Sequence, residues 1–268
     1  MMNSFANLRM NVSDSHPVQD TTRAEQFDEA FSLRGLNFNG ETDGASIILT
    51  REATTRRATL DLINRRYGWR GYGSNHKLSG RKNEATFTAC TGNIAIGTVT
   101  LATESSRGLD VEATFPEETR FLRGQRGVEL CELKKLAIDS NRKSLNILSS
   151  MFHFAFLYGT ANKFGNRLLA EVNPRHVIFY EKMLGFKKFG PVKINNSVDA
   201  PSQLLFIDVK SIRKFISARN GDINVPMLYR HFFTPDQERD LIKKMTVRGL
   251  WEPSLTPRRS AGDLVLFP

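Results

Sequence analysis

Cysteine is scarce in this chain, with only Cys90 and Cys131 among 268 residues, which excludes a disulfide framework and a cysteine-rich zinc site. The five histidines are scattered with no His-x-x-x-His pair, so no metal site is expected. No apolar run approaches the ~20 residues that cross a bilayer. The opening MMNSFANLRMNVSDSHPVQD has no apolar core of the kind a secretory signal carries. Internal repeats and low-complexity tracts are missing as well. These absences leave a chain expected to be soluble, reduced and cytoplasmic, of a bacterial type.

What is abundant is positive charge. Lys and Arg number 38 against 28 Asp and Glu, a net of +10, which calls for an anionic partner without naming it. The charge is uneven. Residues 1–50 hold three basic side chains (Arg9, Arg23, Arg34) against seven acidic ones, whereas residues 51–82 hold nine basic against two acidic, and residues 210–268 eleven against six. This divides the chain into an acidic, flexible N-terminal segment (1–45), a core (46–210) and a C-terminal extension (211–268) that packs on the core or contacts a partner.

Periodicity then places the elements. Strand patterns run over 46–50, 85–89 and 94–102, the last two joined by Thr91-Gly92-Asn93 as a hairpin. A helix is predicted from Thr54 to Arg66, capped by Thr54 or Thr55, and a helical turn from Pro116 to Leu122 with Glu117 and Glu118 at its positive end. Further on come a strand over 128–138, a helix over 144–163, a strand over 167–172, a short helix over 176–184 and a strand over 204–209. The order is mixed α/β with parallel pairing in the middle.

Three pieces in the second half act in combination: Glu-x-x-Lys in ELKKLAI, Asn173 after the strand RLLAEV, and Tyr180 in FYEKMLGF. With them the chain resembles the GNAT acyltransferase superfamily. The E-x-x-K-x-A-I form resembles the acyl-homoserine-lactone synthases and, more closely, the N-acyl amino acid synthases of the FeeM type, as do RRATLDLINRRYGWRGY and the late segment LYRHFF. The resemblance spans about 46–240. It implies an α/β, GNAT-like mixed sheet, mostly antiparallel, with a central parallel pair splayed apart, helices on both faces and an extra C-terminal helical segment.

It also implies the chemistry: an amine attacks a thioester carbonyl, a tetrahedral oxyanion forms, and a thiolate leaves. At neutral pH an α-amine with pKa near ~8 is mostly protonated, so a base must remove a proton. Glu132 is the candidate, because its neighbours of like parity (Leu130, Leu136, Ile138) are apolar and a desolvated carboxylate has a raised pKa. The alternative is a buried ion pair with Lys135 or an arginine. Strict alternation would put Glu132 and Lys135 on opposite faces, and a bulge is required for both to line one site. By resemblance Tyr180 donates a proton to the departing thiolate, and His176, one turn earlier, serves as base or substrate contact, or only orients. Arg57 and Lys135 are candidates for the acceptor carboxylate, with Arg56 as an alternative to Arg57. Asn173 is a candidate for the pantetheine amide, though Asn before Pro is also a common turn residue.

One departure from the superfamily is informative. The loop 139–146, DSNRKSLN, lacks the glycines that let backbone amides cradle a pyrophosphate at a helix start. Arg142, Lys143 and Ser144 remain to hold a single phosphate, as on the phosphopantetheine arm of an acyl carrier protein. The expected donor is therefore acyl-phosphopantetheine on acyl carrier protein, with acyl-CoA as the alternative and no resident cofactor. The acceptor is a small amino acid, and the lipid product brings a peripheral membrane contact. The expected activity is transfer of a long acyl chain to an α-amine, giving an N-acyl amino acid; the alternatives are a CoA-dependent GNAT N-acetyltransferase or an acyl-homoserine-lactone-type signal synthase. The 19 Phe, several in 152–189, suit core packing and, in part, an acyl slot. His153 reads as a satisfied core histidine, and Cys131 has nothing beside it that marks a nucleophile. Nucleic-acid binding is disfavoured, since no helix-turn-helix or RNP pattern accompanies the basic stretches.

Overall fold

The computed structural model describes residues 30–32, 45–139, 144–219 and 222–247. Strands β1 (Ala30–Ser32) and β2 (Ala45–Leu49) precede α1 (Ala53–Trp69). The hairpin β3 (Glu84–Thr91) and β4 (Ile94–Thr103) leads through a 3-10 turn (Asp110–Ala113) and α2 (Pro116–Arg123) to β5 (Leu130–Ile138). Helix α3 (Ser144–Ala161) connects to β6 (Arg167–Val172). Short helical turns follow: a 3-10 turn at Pro174–His176, α4 (Val177–Phe179) and a π turn at Tyr180–Leu184. Strands β7 (Lys187–Asn195) and β8 (Ala200–Asp208), then α5 (Val209–Ala218), a 3-10 turn (Met227–His231) and α6 (Pro235–Val247), complete the described chain.

The strands form one sheet in the order β1-β2-β3-β4-β5-β6-β8-β7. Every neighbouring pair is antiparallel except β5 and β6, which run parallel. The mixed sheet and its central parallel pair are those the sequence leads one to expect. Of the N-terminal segment expected to be flexible, all but Ala30–Ser32 and Ala45 lies outside the described residues. β7 escapes the periodicity reading because KKFGPVKIN carries Gly and Pro. Gly190 has φ +70° and the register shifts between Phe189 and Lys193, as an edge strand tolerates.

Helices cover both faces. Ile47, Phe87, Leu101 and Leu133 pack against Met151 and Phe154 of α3 and against Tyr229 and Phe233 further on. On the opposite face Leu62 of α1 meets Ile48 and Ala137, while Val111, Phe115 and Leu122 cover Leu130, Leu169 and Leu204. Residues 232–238 are locked on by His153, which is fully buried and stacks on Phe232 and Phe233 at 4.6 and 4.9 Å. Its Nδ1 accepts the Phe233 N–H at 3.0 Å, which leaves the proton on Nε2, facing Glu238 Oε2 at 3.4 Å. Burial opposes ionisation of Glu238, but the His153 hydrogen bond and Arg213, 2.7 Å away, bring its carboxyl down to about 2. No helix among the described residues is long and apolar enough to cross a membrane.

Helix α1 begins at Ala53, with Glu52 in the capping position and no side-chain cap, so neither Thr54 nor Thr55 plays the expected capping part. Its anchor is Thr59. The Thr59 hydroxyl donates to Thr55 O at 2.6 Å, so it accepts from Thr88 at 2.7 Å, and Thr88 in turn accepts from Thr50 at 2.7 Å. This directed chain of buried hydroxyls ties α1 to β3. Thr88→Val is expected to strand the Thr50 proton and a Thr59 lone pair, costing roughly 1–3 kcal/mol. Urea unfolding would show this as a lower midpoint at unchanged slope; an unaltered midpoint would refute it.

Candidate active site

The parallel pair is joined only at Leu130–Arg167, Cys131–Leu168 and Glu132–Leu169. Beyond that point β5 stays with β4 and β6 stays with β8, so a wedge opens beside Glu132. Lys135 widens it. Its φ of +54° and the pairing of Thr98 with Ala137 but Thr100 with Lys134 mark one extra residue on β5, a bulge. The bulge brings Lys135 and Glu132 to one cleft of about 420 Å³, whose walls include Tyr67, Arg70, His176 and Tyr180.

Glu132 lies at the apex, 3% exposed, with Oε2 accepting the Asp110 N–H at 2.9 Å. It makes no ion pair among the described residues, where the alternative of a buried salt bridge with Lys135 or an arginine is not seen. Burial pushes its carboxyl up to about 7, with Lys134 pulling the other way and Asp110 adding to the rise. Lys134 is spoken for: its Nζ is 2.9 Å from Glu84 and also bonds Asp110. Burial raises Asp110, but the Lys134 hydrogen bond and the charges of Lys134, Lys135 and Arg81 outweigh it and hold Asp110 ionised. Lys135 has no hydrogen bond or ion pair among the described residues, and burial and Lys134 lower its pKa.

The second wall comes from the end of α1. Arg66 and Tyr67, four and three residues before the capping Arg70, line the cleft together with it. The Tyr67 ring stands edge-on to His76 at 4.8 Å and to Tyr72 at 6.1 Å. Arg70 Nη1 donates to His176 Nε2 at 2.6 Å, so the imidazole is neutral with its proton on Nδ1, and burial, then Arg70 and Arg175, depress its pKa. His176 therefore positions Arg70, and its Nε2 has no lone pair left for a substrate proton. Tyr180 opens the π turn and packs edge-on between Phe179 and Phe186 at 5.6 and 5.5 Å. Burial raises its phenol above the usual value.

Other candidates fall elsewhere. Arg57 is exposed on α1 and does not line the cleft, nor does Arg56, which donates to Leu78 O at 3.0 Å. At ~1.5 Å per residue, Arg57 lies more than two turns short of Arg66 and Arg70, which stand where it was expected. Asn173 borders the cleft, but its amide is engaged: Oδ1 accepts from Arg175 N at 3.2 Å and Nδ2 donates to Pro201 O at 3.1 Å. That is the turn role. Arg142 and Lys143 lie outside the described residues; Ser144 starts α3. Cys131 donates to Arg167 O at 3.5 Å, and burial pushes its thiol up to about 12, unsuited to a nucleophile. Phe152, Phe156, Phe164 and Phe186 line a narrow apolar cavity of about 50 Å³ that shares Leu133 with the cleft. Tyr67, Arg66, Arg70 and Asp110 were not anticipated. The helical spacing of the first three was a usable signal, whereas Asp110 had none.

Comparison with known proteins bears on the family and the fold. The family model described as N-acyl amino acid synthase FeeM matches residues 58–208. The structure of FeeM, an N-acyl amino acid synthase from uncultured soil microbes, is similar at 22% identity and a TM-score of 0.56, covering 63% of this chain and 93% of that one. The acyl-homoserine-lactone synthase LasI is similar at 14% identity and a TM-score of 0.47, over 62% and 90%. A spermidine N-acetyltransferase from Vibrio cholerae, in complex with CoA and spermine, is similar at 15% identity and a TM-score of 0.42, over 64% and 99%. No curated protein matches by sequence.

Proposed function

The chain belongs to the FeeM family of N-acyl amino acid synthases and is an acyltransferase, and from that premise we propose that it moves a long acyl chain from the phosphopantetheine of acyl carrier protein to the α-amine of an amino acid. The observation that supports this most is a buried carboxylate, Glu132, with a pKa of about 7, at the apex of a wedge between two parallel strands.

In this reading the thioester enters the wedge along the free edges of β5 and β6. Glu132 takes one proton from the incoming amine, the nitrogen attacks the carbonyl carbon, and the carbonyl electrons collect on oxygen. Collapse of the tetrahedral species breaks the C–S bond, and Tyr180 hydrogen-bonds the departing sulfur. The nitrogen gives up its second proton as the amide forms, that proton converts the thiolate into a free pantetheine thiol, and Glu132 releases the first proton to solvent. Arg70, held by His176, and Lys135 are suited to the acceptor carboxylate, Arg70 through its planar fork. The donor assignment rests on the glycine-free loop 139–146 and on a net charge of +10 facing an acidic carrier.

Incubating the protein with long-chain acyl carrier protein and mixed amino acids, with mass spectrometry of the lipid extract, tests the reading. N-acyl amino acids are expected, and their absence with every amino acid would reject it. Arg142→Glu is expected to raise the apparent KM for the carrier-borne donor severalfold while leaving that for a short soluble thioester unchanged. Equal rises on both donors, or full activity with acyl-CoA alone, would reject carrier docking at that loop.

A further inference from the structure

Two large apolar side chains stand in solvent beside the cleft: Trp69 is 75% exposed and Ile178 is 70% exposed. Trp69 ends α1, one residue before Arg70; Ile178 follows His176 by two. The Arg70–His176 hydrogen bond at 2.6 Å joins these segments, and a second tie, Arg175 Nη2 to the Tyr72 hydroxyl at 2.6 Å, joins them again. The two segments that carry them thus border the cleft, which Arg70, Tyr72 and His176 line. Cations accompany them. The Arg66 guanidinium lies 5.4 Å from the centre of the Trp69 ring, Arg175 and Lys182 are exposed, and Lys182 follows Ile178 by one helical turn. No acidic residue occurs between 62 and 83.

An indole and a branched aliphatic chain projecting from a basic rim match the depth profile of a lipid interface. Apolar groups enter the acyl boundary, the amphipathic indole sits at headgroup level, and Lys and Arg meet anionic phosphates. An acidic carrier protein would also meet the charges; the pairing of an exposed amphipathic indole with a protruding aliphatic chain above a basic rim is what favours a bilayer. We infer that this rim is a docking surface for an anionic lipid bilayer, with Trp69 and Ile178 inserted and Arg66, Arg175 and Lys182 against the headgroups. The inference rests on the function proposed above for its purpose: an N-acyl amino acid is an amphiphile, and a mouth seated on lipid releases its acyl chain into the bilayer rather than into water.

The chain has two tryptophans, Trp69 and Trp251, so the full-length Trp251→Phe protein reports on Trp69 alone. Its emission is expected to shift to the blue, and to be quenched by brominated acyl chains, with phosphatidylcholine vesicles containing phosphatidylglycerol but not with phosphatidylcholine alone; added salt should reverse both effects. Ile178→Ser is expected to weaken vesicle binding roughly tenfold, and Lys182→Glu to weaken it severalfold, with turnover of a soluble short-chain thioester unchanged. Co-sedimentation of the unsubstituted chain with the same vesicles is an independent readout. Unaltered emission and no sedimentation in a preparation that turns over the soluble thioester would overturn the docking surface while sparing the proposed reaction. Binding that Ile178→Ser and Lys182→Glu leave unchanged, or an emission shift produced by carrier protein and not by vesicles, would overturn it as well. Loss of turnover in the parent protein would bear on the reaction alone.

Discussion

Glu132→Gln is expected to lower turnover by roughly 10²–10⁴-fold and, above neutral pH, to make the protein more stable. The same burial produces both effects. Glu132 is 3% exposed and titrates at about 7 rather than at the ordinary 4.5. Between those values the unfolded chain has released the proton while the fold still holds it, so the Glu132 contribution falls as pH rises through this window. Above about 7 the folded state bears the full cost of an ionised carboxylate, up to about 3 kcal/mol at ~1.4 kcal/mol per pKa unit. Glutamine keeps an acceptor for the Asp110 N–H and removes the charge, at the expense of two new donors, so the expected gain is smaller, about 1–2 kcal/mol. In the parent enzyme the rate should rise with pH through a limb near 7, set by ionisation of the base, and that limb should vanish in the variant. Unchanged turnover at saturating amine, or a limb that survives the substitution, would remove Glu132 from the role of base. A gain in thermal stability beside a loss of rate would exclude misfolding as the cause.

The sequence went furthest where one local pattern decides the outcome. β6 has the bounds read from RLLAEV, and Pro116 with two glutamates after it starts α2, because each rests on local propensity and capping. Glu132 becomes a candidate only when its apolar neighbours are read together with the E-x-x-K resemblance, because a lone buried carboxylate reads as readily as half of an ion pair. Arg57 failed for a different reason. α1 runs to Trp69, a turn beyond Arg66, and which end of a helix borders a cleft depends on where the sheet opens, a long-range fact. Asn173 illustrates the same limit from the other side: its chemistry suited a ligand, yet its own turn and β8 consume both ends of the amide. Asp110 could not be found at all. It matters because the 3-10 turn holding it folds back over β5 and presents its N–H to Glu132.

Tyr180→Phe is expected to slow transfer from an alkyl thioester roughly 10²-fold and to slow transfer from an aryl thioester far less. The phenol is 7% exposed, and burial lifts its pKa above the usual value near ~10. An alkyl thiol is no weaker an acid than an ordinary phenol, so the buried phenol, raised above that value, is the weaker acid and full proton transfer to the thiolate runs uphill. Tyr180 therefore acts by donating a hydrogen bond to the sulfur as charge develops, a stabilisation worth more in a water-poor site than in solvent. Such a donor matters in proportion to the charge on the leaving atom. An aryl thiolate disperses that charge into its ring and needs the donor less, so the ratio of parent to variant rates should shrink as the leaving thiol becomes more acidic. The same loss with both leaving groups would mean that Tyr180 shapes the cleft through its contacts with Phe179 and Phe186 rather than assisting departure. Measuring kcat on both donors across a pH series separates the two accounts, because a phenol that never ionises adds no limb of its own below the alkaline range.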